Sequence, residues 1–359
     1  MRSSSPHPAR RHSPRPALAA VHGLLAACLG VLGPTAPPAA AAGGTLQQVT
    51  DFGANPGHLQ MYAYAPAGLP SGAPLVLALH GCTQSAPDYY AHSGWPKYAD
   101  RYGFALVFAQ TTPVNNPLSC FSWFDATKDT RGNGEAASLV QMVRHAAAQY
   151  GSDPHRVFVT GLSAGGGMTA DLLADYPEVF AGGAVNAGPP AHCALTLLQA
   201  SLCQTSDQHL TPAQWGDKVR AARPGYAGPW PRLAVWQGTA DTTVFPVNAT
   251  ELRDQWTDVW GIGRTPSHTR TLPGGTTESR YDDGSGTTAV AVYTVPGMGH
   301  GLAVDPGPGP DQCGATGTHY LGSLCASYYT AAFFGLDGSA GGAGAERQAV
   351  RTRAARDSR

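Results

Sequence analysis

Charge is what this sequence has least of. Only 13 % of its 359 residues are Asp, Glu, Lys or Arg, and 23 basic side chains stand against 24 acidic ones, for a formal net charge of −1. That is roughly half the usual charged share. Lysine is close to absent: Lys97, Lys128 and Lys218 are the whole set. Such a chain has no basic face for nucleic acid and no polybasic patch for an anionic membrane, so neither partner is expected. Cysteines spaced as C-x-x-C are missing, which argues against zinc ribbons and thioredoxin-type redox sites; no metal is expected. Long apolar runs are missing too, and the N-terminal stretch over 17–32 is short for a membrane span. What is abundant is Gly (45) and Pro (30), the residues of loops and turns.

The N-terminus has the layout of an export signal. Arg2, Arg10, Arg11 and Arg15 precede an apolar segment from Ala17 to Leu32, and Ala40-Ala41-Ala42 offers a small-residue cleavage site. Residues 1–42 are therefore expected to be a signal peptide and the mature protein to be extracellular. Leu25-Ala26-Ala27-Cys28 also resembles a lipobox, which would anchor Cys28 to lipid, but the apolar run continues past it to Leu32 and favours the later cleavage. Without Cys28 six cysteines remain, an even number suited to disulfides in an oxidising compartment. Connectivity stays open at this level. Local pairing is the expectation, Cys82–Cys120, Cys193–Cys203 and Cys313–Cys325, with buried free thiols as the alternative. Residues 338–359 are rich in Gly, Ala and Arg without apolar period, and a disordered tail is expected there.

Residues 43–337 read as one globular catalytic unit. Strands are expected at 46–49, 59–65, 74–79, 105–109, 157–159, 180–185, 233–236 and 289–293, and helices at 95–102, 134–149, 247–260 and 320–334. Strands alternating with helices imply an α/β fold with a mostly parallel, doubly wound sheet.

The stretch Arg156-Val-Phe-Val-Thr-Gly-Leu-Ser-Ala-Gly-Gly-Gly-Met168 is the most informative. An apolar strand breaks into Gly161-Leu162-Ser163-Ala164-Gly165 and then opens a helix, the pattern of a nucleophile elbow. The sharp turn crowds the positions two residues either side of Ser163, hence glycine at both. A serine hydroxyl needs a base and an oxyanion site to act at neutral pH. Ligands in such a sheet sit at the carboxyl ends of strands. Asp241 follows the strand at 233–236 and His300 follows the one at 289–293, so the order Ser163, Asp241, His300 is that of an α/β-hydrolase triad. His319 is the rival base, and His92, His145, His155, His192, His209 and His268 read as surface or helix residues. The amide of Ala164 is one expected oxyanion donor. The amide of Cys82, in the loop His80-Gly81-Cys82-Thr83-Gln84, is the other.

Taken together, His80-Gly-Cys-Thr-Gln84, Cys120-Phe-Ser-Trp-Phe124, Gly134-Glu135, Gly161-Leu-Ser-Ala-Gly-Gly166, Gly238-Thr-Ala-Asp-Thr-Thr-Val244 and Gly297-Met-Gly-His-Gly301 resemble, in one order, the secreted polyhydroxybutyrate-depolymerase-type esterases. These are α/β-hydrolases related to feruloyl and acetylxylan esterases, and the resemblance spans about residues 44–336. It implies carboxylic-ester hydrolysis without a cofactor, and it supports Ser163, Asp241 and His300 as triad and Cys82 as oxyanion donor. The family's aromatic loop reads C-W-N-W-F, whereas here Phe121 and Ser122 replace the first two of its inner residues and Trp123 is kept. Trp123 is expected to flank the substrate.

The expected function is a secreted serine esterase acting through an acyl-enzyme on polyhydroxyalkanoate or short hydroxyacyl esters. The alternatives are a feruloyl or acetylxylan esterase on cell-wall polysaccharide, an acyltransferase, a peptidase on the same fold, or a surface binding protein with an idle triad. The substrate is then a polyester or polysaccharide ester; no stable protein partner is expected, and the chain is expected to be a monomer. Residues 187–230, broken by prolines and a Cys193–Cys203 bridge, are expected to form no long apolar helix, which predicts a pocket for short acyl groups.

Overall fold

Leu75-Val-Leu-Ala-Leu79 and Val157-Phe-Val-Thr-Gly-Leu162 are buried along their whole length, as strands covered on both faces must be. Around them the computed structural model describes residues 44–338. The signal peptide expected over 1–42, with Cys28 in it, and the tail past Gly338 lie outside the described residues.

The chain opens with β1 (Gln47–Val49), β2 (Gln60–Tyr64) and β3 (Leu75–Leu79), then α1 (Ala86–His92), α2 (Trp95–Tyr102) and β4 (Ala105–Gln110). It continues through α3 (Ala126–Asp129), α4 (Gly134–Tyr150), β5 (Val157–Leu162), α5 (Ala164–Asp175) and β6 (Gly182–Asn186). Next come α6 (Leu197–Thr205), α7 (Pro212–Ala222), β7 (Arg232–Gly238), α8 (Val247–Trp260), β8 (His268–Thr271), β9 (Thr277–Asp282) and β10 (Thr288–Val295). A small pair, β11 (Leu302–Val304) with β12 (Tyr320–Gly322), and α9 (Ala326–Phe333) complete it.

The main sheet has the order β1-β2-β4-β3-β5-β6-β7-β10-β9-β8. The run from β4 to β10 is parallel, and an antiparallel pair closes each edge. Side chains alternate between the faces and so feed two cores. Leu75, Leu77 and Leu79 pack with Met142, Leu172 and Trp256 of α4, α5 and α8, while Val76 and Ala78 pack with Tyr89, Trp95 and Ala331 of α1, α2 and α9. This is the expected doubly wound α/β architecture, with loops at the carboxyl ends of β3, β5, β7 and β10 meeting above the sheet.

One expectation is corrected here. The helix expected over 320–334 is shorter, because Tyr320-Leu321-Gly322 pairs with β11 as a strand and the helix begins only after Cys325. Residues 187–230 form no long apolar helix, as expected, but two short ones, α6 and α7, the second opened by a capping box between Thr211 and Gln214. The local cysteine pairing holds: Cys82–Cys120, Cys193–Cys203 and Cys313–Cys325 are disulfides.

Candidate active site

Ser163 sits between β5 and α5 with φ 57° and ψ −117°, a backbone conformation that a side chain adopts only under constraint. Neighbouring backbone supplies the constraint: the Ser163 N–H donates to Asn186 O of β6 at 2.9 Å, and its carbonyl accepts from Gly167 N at 2.9 Å. A Cβ on Gly161 would collide with the Gly165 carbonyl, and one on Gly165 would lie 2.5 Å from the His80 carbonyl, so both glycines are required.

His300 Nε2 lies 2.9 Å from Ser163 Oγ, and His300 Nδ1 lies 2.8 Å from Asp241 Oδ2. The three residues expected from loops after three strands are thus in one line. Asp241 is buried, and its carboxylate accepts from Thr243 N at 2.8 Å, Val244 N at 2.9 Å and Gln237 Nε2 at 3.3 Å. The Asp241 and His300 loops are laced together: Thr239 N donates to Val295 O, Ala240 N to Met298 O, and Gly297 N to Thr239 Oγ1. Gly238 lies so close to the Met298 carbonyl that no side chain fits there.

The loop after β3 passes beside the serine, where a Cβ on Gly81 would stand 3.4 Å from Ser163 Cβ. Its shape is held by Gly81 N donating to Gln84 Oε1 at 2.6 Å, Thr83 N donating to Leu118 O at 2.7 Å, and the Cys82–Cys120 bridge. Among the described residues the N–H groups of Cys82 and Ala164 have no acceptor, which leaves both free for an oxyanion. Buried His80 underlies the loop; burial pushes its imidazole down to about 4, against the hydrogen bond it makes to Gly81.

Ser163 and His300 open into a cavity of about 660 Å³, within the usual range for organic ligands. Its walls are mostly apolar: Leu118, Trp123 and Phe124 on one side, Leu197 and Ala200 of α6 on the other. Trp123 lines it as expected but is buried, packing against α5 where a Cβ on Gly167 would approach its ring to 2.7 Å. The Trp123 segment is fixed by Glu135, whose carboxyl accepts from Ser122 N at 2.7 Å and Ser122 Oγ at 2.9 Å; burial raises it to about 7 despite those bonds.

Sequence reasoning missed Phe124, Leu118, Leu197, Gln204 and Thr243 as cavity residues. It expected no long apolar helix over 187–230, and α6 and α7 there are nine and eleven residues long, but the short α6 still lends Leu197 and Ala200 to the cavity wall. His319 shares the cavity, but its Nδ1 donates to the His300 carbonyl at 3.1 Å, and His300 is the residue at Ser163. His192 is corrected too: it is mostly covered, against α5, with its Nε2 3.4 Å from Asp175 and its Nδ1 3.7 Å from Asp171. Burial would lower its imidazole, but those carboxylates outweigh it and raise it to about 9.

Fold and site together define an α/β-hydrolase. The family described as Esterase PHB depolymerase matches residues 59–271. Poly(3-hydroxyalkanoate) depolymerase C of Paucimonas lemoignei is 47 % identical over 294 residues, 82 % of this chain and 70 % of that protein. Feruloyl esterase B of Talaromyces stipitatus is 37 % identical over 280 residues, 76 % of each chain. Among solved structures, an acetyl xylan esterase from Aspergillus awamori superposes with a TM-score of 0.66 at 33 % identity, covering 72 % of this chain and 94 % of that one. The chain belongs to the PHB-depolymerase esterase family and is a carboxylic-ester hydrolase.

Proposed function

We propose that the chain is a secreted serine esterase that cleaves polyhydroxyalkanoate or related short hydroxyacyl esters through an acyl-enzyme. The observation that carries the mechanism is the line Ser163 Oγ, His300, Asp241, at 2.9 Å and 2.8 Å, at the mouth of an apolar cavity. Ser163 Oγ attacks the ester carbonyl while His300 Nε2 takes its proton. Asp241 holds the imidazole with Nδ1 protonated and stabilises the imidazolium. The carbonyl oxygen becomes an oxyanion facing the Cys82 and Ala164 amides, each such donor typically contributing about 3 kcal/mol in the transition state. His300 then returns the proton to the leaving alcohol, and water repeats the sequence on the acyl-enzyme. Secretion is supported by the export-type N-terminus and the three disulfides.

The polyester reading is supported by the higher identity to the polyhydroxyalkanoate depolymerase, and the feruloyl and acetylxylan relatives supply the second reading. A panel of amorphous poly(3-hydroxybutyrate), methyl ferulate and acetylated xylan separates them. The proposal expects release of hydroxy acid to dominate. Turnover of ferulate or acetylxylan with no hydroxy acid released would replace it by the second reading.

A further inference from the structure

The residues that line the Ser163 cavity include no Asp, Glu, Lys, Arg or Tyr, and His300 is bound to the serine. That leaves His319, a histidine to which the triad gives no task. Its place is fixed from several sides. The backbone is left-handed, with φ 64°, a conformation that is uncommon outside glycine and needs support. The His319 carbonyl accepts from Leu302 N at 2.8 Å. Its ring packs edge-on against that of His300, with centroids 5.6 Å apart and planes at 71°. Its Nδ1 lies 3.1 Å from the His300 carbonyl oxygen.

A carbonyl oxygen can only accept, so Nδ1 carries the hydrogen and the neutral ring has Nε2 as a bare acceptor. Nε2 has no hydrogen-bond partner among the described residues, and the ring lines the cavity. Other polar side chains of the cavity are turned to their own loops: Gln84 Oε1 accepts from Gly81 N, Thr83 Oγ1 donates to Cys82 O, and Asn116 Oδ1 accepts from Leu118 N. An acceptor on a mostly apolar wall loses its water when substrate fills the cavity, and leaving it unpaired costs free energy. The oxygens of an ester group only accept, so a plain aliphatic ester offers Nε2 nothing. A free hydroxyl on the substrate offers it a donor.

We propose that His319 Nε2 accepts a hydrogen bond from a free hydroxyl of the substrate and so selects hydroxylated esters over plain ones. The inference deepens the serine-esterase reading and rests on it. Two sources supply such a hydroxyl. One is the free 3-hydroxyl at the end of a hydroxyacyl chain, on the acyl side of the ester. The other is a hydroxyl of a sugar or polyol, on the alcohol side. Both bring the same donor to the same nitrogen. His319 takes no part in proton transfer, because His300 is the residue at Ser163.

The test is a cycle with one change in the enzyme and the other in the substrate. His319→Asn keeps an amide donor at the place of Nδ1, tolerates the left-handed backbone, and has nothing at the place of Nε2. His319→Gln reaches that place with its amide. For each protein kcat/KM is measured on p-nitrophenyl 3-hydroxybutyrate against p-nitrophenyl butyrate, and on 2-hydroxyethyl butyrate against propyl butyrate. In His319→Asn the preference for the hydroxylated ester should fall about tenfold in at least one pair, mostly through KM, and His319→Gln should recover part of it. A general loss of activity cancels in these ratios, so a merely structural role would not move them. Unmoved ratios, or equal falls in both variants, would overturn the proposal. A fall in the first pair alone assigns the chain-end hydroxyl. A fall in the second alone assigns a sugar or polyol hydroxyl and supports the cell-wall reading. Ester hydrolysis that persists in Ser163→Ala would overturn the serine reading, whereas unmoved ratios with Ser163-dependent activity overturn only the role of His319.

Discussion

The Nδ1–H of His80 donates to the carbonyl oxygen of Gly81, 2.6 Å away. Thr111 N donates to the other ring nitrogen, Nε2, at 3.2 Å, so the neutral tautomer is fixed. Because a peptide is planar and trans, holding the Gly81 carbonyl on one side turns the Cys82 N–H to the opposite side. A buried, neutral histidine thereby sets the direction of a proposed oxyanion donor. His80→Ala should lower kcat on p-nitrophenyl acetate by about 10- to 100-fold with KM changed less, since the donor acts on the transition state. Steady-state kinetics with a matching circular dichroism spectrum checks this; an unchanged kcat would remove the role.

Glu135 makes stability depend on pH. Its folded value of about 7 lies above that of an ordinary glutamate, 4.5. The folded state therefore holds a proton that the unfolded chain releases, and this contribution is full below about 4.5 and is lost as the pH rises through 7. Glu135→Gln keeps an acceptor for Ser122 N and offers an amide donor to Ser122 Oγ. Relative to wild type, the variant should gain stability between pH 5 and 8, by up to about 3 kcal/mol, in urea denaturation. A pH-independent difference would show that Glu135 is not protonated in this way.

Ser163 and the two residues aligned with it should behave as a unit. Ser163→Ala and His300→Ala should each cost on the order of 10⁴-fold or more in kcat, with the double variant little worse. Asp241→Asn should lose rate with KM little changed, since the carboxylate orients the base rather than touching substrate. His319→Ala should cost far less than His300→Ala, because its Nδ1 is bound to the His300 carbonyl. Equal losses would exchange the two histidines.

The Cys82–Cys120 bridge ties the proposed oxyanion loop to the loop carrying Trp123, across a sequence separation of 38. Replacing both cysteines by serine should cost about 4 kcal/mol on the loop-entropy account. It should also lower kcat, as Cys82 N loses its tether. Thermal unfolding together with p-nitrophenyl acetate kinetics tests both. A destabilised variant with full kcat would make the bridge structural only.

Much of this was legible because it is local. The elbow is written in contiguous residues: an apolar strand, two glycines that backbone contacts demand, and a helix start after Ser163. Asp241 and His300 could be placed because each follows an apolar strand directly, and parallel strands deliver such positions to one edge. What escaped depends on distant contacts. Tyr320 to Gly322 reads as the start of a helix until β11 is present to pair with it. His192 reads as a surface residue because nothing nearby in sequence announces Asp171 and Asp175, which the turn after β6 brings against it. The cavity wall on α6 was hidden among prolines, although the absence of charge over 193–206 was visible throughout.

The most direct test of the serine mechanism is covalent trapping. The native protein is treated with a fluorophosphonate ester, digested without reduction, and mapped by mass spectrometry. The account predicts a single stoichiometric adduct on Ser163, complete loss of ester hydrolysis, and no adduct in Ser163→Ala. Labelling at another residue, or full turnover of p-nitrophenyl acetate by Ser163→Ala, would contradict it.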